Sequence, residues 1–357
     1  MTTVLIAAGG TGGHVFPALA VADVLRARAC SVVWLGTERG IEARLVPAAQ
    51  IPIEWVRVAG LRGKSLASWL GAPFRLLRAL GDALGAMRRA RPDVVLGLGG
   101  FVAGPAGVAA RLTGRPLVIH EQNAVAGLTN RVLARLATRV AEAFPGSFPA
   151  AVGAVAIGNP VRQAIESLPV RCALSGPRAQ LLVFGGSQGA ATLNHIVPAA
   201  LALLDAAERP AVLHQTGRGR RAEVEAAYAA AGIECDVREF IDDMAAAYSW
   251  ADLAVCRSGA LTVAELAAAG VPAILVPFPA AVDDHQTANA RFLANRGAAV
   301  LMPEATLTPQ LLATELRSLV GGERRRRDAM ADAARRAAMP GAAERLADLC
   351  LAIGTHA

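Results

Sequence analysis

Val4-Leu-Ile-Ala-Ala-Gly-Gly-Thr-Gly-Gly-His14 is the stretch that decides how this chain folds. A short apolar run feeds a loop of four glycines, one threonine and one histidine, and the Ala-rich apolar stretch Phe16–Arg28 that follows has helical character. Strand, tight turn and helix opening, in that order, aim backbone N–H groups and a helix dipole at an anion. The same grammar returns at Leu181-Leu-Val-Phe-Gly-Gly-Ser-Gln-Gly-Ala190. Two such loops in one chain predict two nucleotide-binding-like halves with a cleft between them.

Outward from these loops, short β-branched runs alternate with longer Ala/Leu/Arg stretches of helical period, the pattern of βαβ units and parallel sheets. Strands are expected near Val4–Ala8, Val32–Leu35, Val94–Leu98, Leu117–Ile119 and Val155–Ile157 in the first half. In the second half they are expected near Leu181–Phe184, Val212–Gln215, Leu253–Cys256, Ala273–Val276 and Ala299–Leu301. The fold class is therefore α/β, with two Rossmann-like domains built on parallel sheets. A chain of 357 residues, 54% hydrophobic and 18% charged, has the material for two cores. The turn residues of Gly158-Asn-Pro-Val-Arg162 and the stretch to Gly176-Pro177 mark the domain change. The expected division is a first domain over 1–160, a linker over 161–176, a second domain over 177–335 and a C-terminal helix over 336–357. The Ala/Arg-rich segment from Arg324 to Ile353 is read as helical with a break at Pro340-Gly341, and Arg324–Arg327 as a solvated helix face rather than a binding tail.

The formal charge of +7, carried mostly by arginine, suits a phosphorylated ligand, an acidic membrane surface or nucleic acid. Nucleic acid is the weakest of the three, because aromatics are only 4% and never interleave with basic runs as a stacking platform requires. Cys30, Cys172, Cys235, Cys256 and Cys350 are scattered and form no Cys-x-x-Cys pair, which argues against a disulfide framework or a zinc site and fits a reducing cytoplasm. The first twenty-two residues carry no acid or base other than His14, yet a signal peptide would need a basic start and an unbroken apolar run. The uncharged runs Val94–Ala110 and Leu266–Val282 are broken by Gly and Pro and fall short of a spanning helix. A soluble or peripheral protein is expected.

In open parallel sheets, ligands bind beyond the carboxyl ends of the strands. The unusual residues cluster there: besides the two glycine loops, Gly97-Leu-Gly-Gly-Phe-Val-Ala-Gly-Pro105, His120-Glu-Gln-Asn-Ala-Val-Ala-Gly127, Arg257-Ser-Gly-Ala-Leu-Thr-Val-Ala-Glu265 and Asp283-Asp-His-Gln-Thr-Ala-Asn289 each follow a strand. Common fingerprints fail. Gly10-Thr-Gly-Gly-His-Val15 lacks the third glycine of the dinucleotide motif, and Gly63-Lys64-Ser65 ends like a P-loop but has Val58 where the first glycine belongs. Asp-x-Asp occurs nowhere, so a diphosphate held through a divalent metal is not indicated. Hydride transfer and nucleoside triphosphate hydrolysis both lose ground.

Taken together, Gly9-Gly-Thr-Gly-Gly-His14, Gly99-Gly-Phe-Val-Ala-Gly-Pro105, His120-Glu-Gln-Asn123, Gly158-Asn-Pro-Val-Arg162, Gly185-Gly-Ser-Gln-Gly189 and Ser258–Glu265 resemble the MurG family, glycosyltransferase family 28. The likeness runs from residue 4 to about 320, in order and with matching spacing. It implies the GT-B architecture, two Rossmann-like domains facing across a cleft, with the C-terminal helix returning to the first. It also implies inverting transfer of N-acetylglucosamine from UDP-GlcNAc to the C4 hydroxyl of the muramoyl sugar of lipid I, giving lipid II in peptidoglycan synthesis, with no cofactor. The resemblance places such a protein peripherally on the cytoplasmic face of the inner membrane, among cell-wall synthesis and division proteins. Phe101 departs from the family pattern, which often has Tyr there, and is given a packing role.

An inverting transfer needs a base near the acceptor hydroxyl and stabilisation of a departing diphosphate. His14 is the best base candidate, with diphosphate binding or shaping of the loop as its other readings. Thr11, Gly12 and Gly13 would meet the donor diphosphate or the acceptor phosphate through backbone N–H groups, and Ser187, Gln188 and Gly189 would do the same from the second domain. The resemblance assigns donor phosphates to Ser187, the ribose hydroxyls to Glu265, and a backbone contact with uracil to Ile241. It includes Ala260, Leu261, Thr262, Val263 and Ala264 in the donor site, and matches Asn123 and Arg162 to further donor contacts. The plainer readings are a solvated helical carboxylate for Glu265, core for Ile241 and an exposed linker cation for Arg162. Gln286 and Asn289, three apart on one helix face, both reach toward sugar hydroxyls. His120 and Glu121 either touch the acceptor or form a strand-end pair bonding backbone. Asp283, Asp284 and His285 are adjacent and cannot all face one ion, so they read as a helix N-terminus and no metal site is expected.

From Ser65 to Arg91, Leu66, Trp69, Leu70, Phe74, Leu77, Leu80, Leu84 and Met87 fall near one helical face, with Arg62, Lys64, Arg75, Arg78, Arg88 and Arg89 around it. Packing on the sheet accounts for most of them. The early part, Trp69 to Phe74, is the candidate for contact with an anionic membrane surface. Two competing functions remain at this level: a UDP-GlcNAc 2-epimerase on the same scaffold, and a non-catalytic nucleotide-binding protein.

Overall fold

The computed structural model describes residues 1–58, 72–169, 178–186, 189–281, 284–322 and 324–354. Ser187, Gln188, Asp283, the Gly63-Lys64-Ser65 tripeptide, Cys172, residues 170–177 of the linker and the Arg62 to Leu70 part of the basic and apolar stretch lie outside the described residues. The chain divides into two compact units, Met1–Arg162 with the segment from Gly341, and Gln163–Pro340.

In the first unit, β1 (Thr3–Ala7), β2 (Ser31–Gly36), β3 (Ile53–Trp55), β4 (Val94–Gly97), β5 (Leu117–Glu121), β6 (Arg139–Glu142) and β7 (Val155–Ala156) form one seven-stranded sheet in the order β3-β2-β1-β4-β5-β6-β7. All pairings are parallel. The central strands read as continuous Val/Leu/Ile runs because helices cover both faces, and Val4 to Ala7 and Val94 to Leu96 are fully buried. In the second unit, β8 (Gln180–Phe184), β9 (Ala211–Gln215), β10 (Cys235–Arg238), β11 (Leu253–Cys256), β12 (Ala273–Leu275) and β13 (Ala299–Leu301) form a parallel sheet in the order β10-β9-β8-β11-β12-β13.

Both sheets therefore reverse their strand order beside their first strand, between β1 and β4 and between β8 and β11. The same device pins each reversal at its base. Asp93 accepts the Thr3 N–H at 2.8 Å, and Asp252 accepts the Gln180 N–H at 2.8 Å. At the opposite ends of these strands the glycine loops open the crevice where ligands of such sheets sit.

Several details differ from the sequence expectation. The strands Ile53–Trp55 and Arg139–Glu142 were not expected, being three and four residues long and carrying charged residues that mask the apolar signal. The arginine run is not a solvated face throughout. Arg327 is buried and donates to the Leu319 carbonyl at 3.2 Å, and Arg326 donates to Glu315 at 2.6 Å. In the helix Ala72–Ala90, Ala79, Ala83, Ala86 and Met87 enter the core, whereas Phe74 and Leu77 are 72% and 67% exposed. The C-terminal helix Ala342–Gly354 packs on the helix Gly12–Ala27, placing Leu346, Ala347 and Cys350 in the same core as Val21 and Leu25. Arg345 ties it to the Ile157 carbonyl at 2.7 Å.

Candidate active site

The first unit builds its site around the helix Gly12–Ala27, whose first turn is formed by the glycine loop itself. Thr11 is its N-cap residue, and the Thr11 hydroxyl lies 3.0 Å from His14 Nδ1. Beneath the loop sits a fully buried carboxylate. Glu42 Oε2 accepts the Gly10 N–H at 3.0 Å, and Oε1 accepts the Thr37 N–H at 3.0 Å and the Thr37 hydroxyl at 2.6 Å. This brace holds the loop at Gly10, and the His14 and Val15 amides then close the first helical turn on the Thr11 carbonyl. Across the sheet reversal, Gly99 holds φ at +87°, a left-handed conformation that favours glycine. A Cβ there would stand 3.1 Å from His14 Nε2 and 3.0 Å from its Cδ2, so the absent side chain makes room for the imidazole.

His120-Glu-Gln-Asn123 ends β5. His120 is fully buried with Nε2 2.9 Å from the Gly158 carbonyl, and burial pushes its pKa down to about 4. Glu121 Oε1 accepts from the Asn123 backbone and side-chain amides at 2.9 and 3.1 Å, while Oε2 accepts from Gly127 at 3.0 Å and Asn130 at 2.9 Å. Of the two readings of this pair, the structure has the strand-end brace. It orients Asn123, which is half-buried and rests on Glu121. Arg162 is not a loose linker cation either: its guanidinium lies over the Phe16 ring at 5.1 Å, so it is carried on the glycine-loop helix.

In the second unit, Gly189 has φ +71°, and any Cβ would overlap the Thr216 carbonyl oxygen. That carbonyl accepts from Asn194 Nδ2 at 3.0 Å, Asn194 Oδ1 is 3.1 Å from His214 Nε2, and His214 Nδ1 is 2.8 Å from the Tyr228 hydroxyl. Burial pushes His214 down to about 4, so the brace is neutral. On the far side of the reversal, the helix Ala260–Ala269 starts after Gly259 without a side-chain cap, leaving the positive end of its dipole at Ala260, Leu261 and Thr262. Val263 points into the core and Ala264 lies half-buried on the opposite side. Glu265 is only 4% exposed, and the Tyr248 hydroxyl donates to its Oε2 at 3.1 Å, so the solvated-helix reading does not hold.

Ile241 buries its side chain and has only its backbone to present. Ser258 is anchored through its hydroxyl to the Gln286 carbonyl at 2.8 Å. Asn289 is fully buried and donates to the Ser258 carbonyl at 3.2 Å, so this side chain supports the loop. Gln286 is half-buried, and its Oε1 accepts the Phe278 N–H at 2.9 Å, turning the amide nitrogen the other way. Arg257 donates to the Val276 and Pro277 carbonyls at 3.1 and 3.0 Å and pairs with Glu304.

Each unit thus presents a glycine loop and a helix N-terminus at a sheet reversal. The glycosyltransferase family 28 N-terminal domain matches residues 4–142, and the family 28 C-terminal domain matches residues 180–346. The chain belongs to glycosyltransferase family 28. Within that family, the UDP-N-acetylglucosamine–N-acetylmuramyl-(pentapeptide) pyrophosphoryl-undecaprenol N-acetylglucosamine transferase of Nitrosococcus oceani is 58% identical over 355 residues, covering 99% of both chains. The crystal structure of Acinetobacter baumannii MurG superposes with a TM-score of 0.82 at 44% identity, over 99% of this chain and 100% of that one. A putative UDP-N-acetylglucosamine 2-epimerase of Listeria monocytogenes shares the fold at a TM-score of 0.69, over 99% of this chain and 96% of that one, but only 17% identity.

Some parts of the candidate site escaped the sequence reading. Glu42 gave no motif, lying thirty-two residues beyond the Gly10 amide it holds. Arg257 likewise acts through contacts with the Val276 and Pro277 carbonyls that form when β11 and β12 lie side by side, and Tyr248 through a bond to Glu265 on the neighbouring helix. Three glycines close to Glu42 (Gly9, Gly36 and Gly40) were the one available signal, since each would clash with its side chain if it carried a Cβ.

Proposed function

We propose that the protein transfers N-acetylglucosamine from UDP-GlcNAc to the C4 hydroxyl of the muramoyl sugar of lipid I, with inversion, giving lipid II and UDP. The observation that carries this reading is full-length identity of 58% to a transferase whose name specifies that donor and acceptor. The second unit is assigned the nucleotide. Main-chain amides of the Gly189 loop and of Ala260 to Thr262 would receive the diphosphate, together with Ser187 and Gln188. The Ile241 backbone would take uracil, Glu265 the ribose and Gln286 the sugar. The first unit is assigned the acceptor, with His14 as base, Thr11, Gly12 and Gly13 lining its approach, and Asn123 and Arg162 reaching the donor.

In the reaction, the C4 oxygen forms its bond to the anomeric carbon while the bond from that carbon to the diphosphate oxygen breaks. The electron pair leaves with the diphosphate, where amide donors meet the growing charge. The hydroxyl proton passes to His14, whose ring is oriented by Thr11 on one side and Gly99 on the other. His14→Ala should lower turnover by about 10²–10⁴ while UDP affinity stays near normal.

No helix among the described residues is long and apolar enough to cross a membrane. A peripheral position on the inner face of the cytoplasmic membrane is supported by Phe74 and Leu77, exposed on a helix that also carries Arg75 and Arg78. The deciding assay is transfer of labelled N-acetylglucosamine to a lipid I analogue with determination of the anomer. Acceptor-dependent UDP release with a β linkage supports the reading, and isomerisation of UDP-GlcNAc without acceptor overturns it.

A further inference from the structure

Gln122 lies between His120 and the notch above Gly99, and its contacts settle which way its amide points. The Gly158 carbonyl can only accept, so the His120 Nε2 that faces it at 2.9 Å carries the hydrogen. Burial keeps that ring neutral, which leaves Nδ1 as an acceptor. Gln122 must then turn its NH2 group to Nδ1 at 3.2 Å, and the same nitrogen also reaches the His120 carbonyl at 3.2 Å. Its Oε1 is thereby turned to the other side. There it is buried, in a residue 2% exposed, and has no hydrogen-bond partner. A Cβ on Gly99 would be 3.5 Å from this oxygen and 3.1 Å from His14 Nε2. The missing side chain leaves a gap no larger than a methyl group, with the proposed base on one wall and an unmet acceptor on the other.

An unmet buried acceptor beside a catalytic base calls for a hydrogen-bond donor on the ligand. On a muramoyl sugar, the C4 hydroxyl gives its only hydrogen to the base. The C3 oxygen is an ether and has none to give. The neighbouring group with a hydrogen to donate is the hydroxyl on C6. We infer that Gln122 Oε1 accepts a hydrogen bond from the C6 hydroxyl of the acceptor sugar while His14 takes the C4 proton. The inference rests on the proposed transfer to a muramoyl acceptor. It makes Gln122 a specificity residue, held in orientation by His120 and Gly158 through contacts made inside the first unit.

The test compares a lipid I analogue with its 6-deoxy counterpart, using kcat/KM for UDP release with UDP-GlcNAc as donor. The wild-type enzyme should favour the hydroxylated acceptor by about 10- to 100-fold. Gln122→Met, which keeps the length and removes both polar atoms, should bring that ratio close to one. Gln122→Glu keeps an oxygen toward Gly99 but loses the donor toward His120, and should retain the preference at a lower absolute rate. The inference is overturned if the wild type handles both acceptors alike, as it would were the notch filled by water. It is equally overturned if Gln122→Met keeps the wild-type ratio, or if both variants lose it together, the mark of a residue that only supports His120. Absence of transfer to either acceptor in the wild type would instead refute the proposed function.

Discussion

Acidification from pH 7 to pH 5 should weaken each unit by about 2 kcal/mol, ahead of the carboxylates. Each unit contains one histidine that burial holds neutral, His120 in the first and His214 in the second, both pushed down to about 4. In the unfolded chain a histidine titrates near 6.5. The unfolded state therefore binds the proton first, so the stability is fully present above about pH 7 and declines as pH falls through 6.5. The loss stops growing below about pH 4, where the folded form also protonates. At 1.36 kcal/mol per unit, the whole window is worth roughly 3 kcal/mol for each ring, of which about 2 falls between pH 7 and pH 5. Carboxylates, with unfolded values near 4, contribute mostly below that range. Amide hydrogen exchange in β1 and β4, and separately in β8 and β11, reads the two units independently. His214→Gln, which keeps a polar side chain without a titrating ring, should abolish the slope in the second unit and leave it in the first. A change of less than about 0.5 kcal/mol in both units between pH 7 and pH 5 would refute the argument.

Three other outcomes follow from the site. Glu42→Ala strands the Gly10 and Thr37 donors in the core, and should cost the first unit roughly 3–5 kcal/mol and lower turnover, checked by urea unfolding and transfer kinetics. Tyr248→Phe removes the hydroxyl that holds Glu265, and calorimetry should show UDP binding weakened by about 3- to 10-fold with little loss of stability. Phe74→Ser with Leu77→Ser should reduce co-sedimentation with anionic liposomes, and added salt should weaken the binding of both the wild type and the variant. Unchanged sedimentation would remove that helix from the membrane-facing surface.

The parts of the fold legible in the sequence were those whose signal is local. The apolar runs of β1, β4, β8 and β11 end in glycine loops or turns within a few residues, so strand, loop and helix could be read together. The pair β3 and β6 was lost because three or four residues containing Glu and Arg give no period. The site divides the same way. His14, Asn123, Glu265 and Gln286 stand in recognisable motifs, whereas Glu42, Tyr248 and the orientation of Gln122 depend on partners separated in sequence or on a chain of hydrogen bonds. Asn289 shows the limit of spacing arguments, since a position three residues from Gln286 can still face the core.

The two glycine loops look interchangeable as sequence, and the structure explains why they need not bind the same group. Below the first loop lies the Glu42 side chain, which takes the Gly10 amide for itself. A diphosphate brought onto that loop would find the Gly10 amide already taken. Below the Gly189 end of the second loop the support is the Thr216 carbonyl, the Asn194 amide and an imidazole that burial keeps uncharged. On the proposed assignment, the diphosphate would also meet the start of the helix Ala260–Ala269, which has no side-chain cap. This difference in what lies beneath the two loops supports the proposed assignment of the nucleotide to the second unit and of proton transfer to the first.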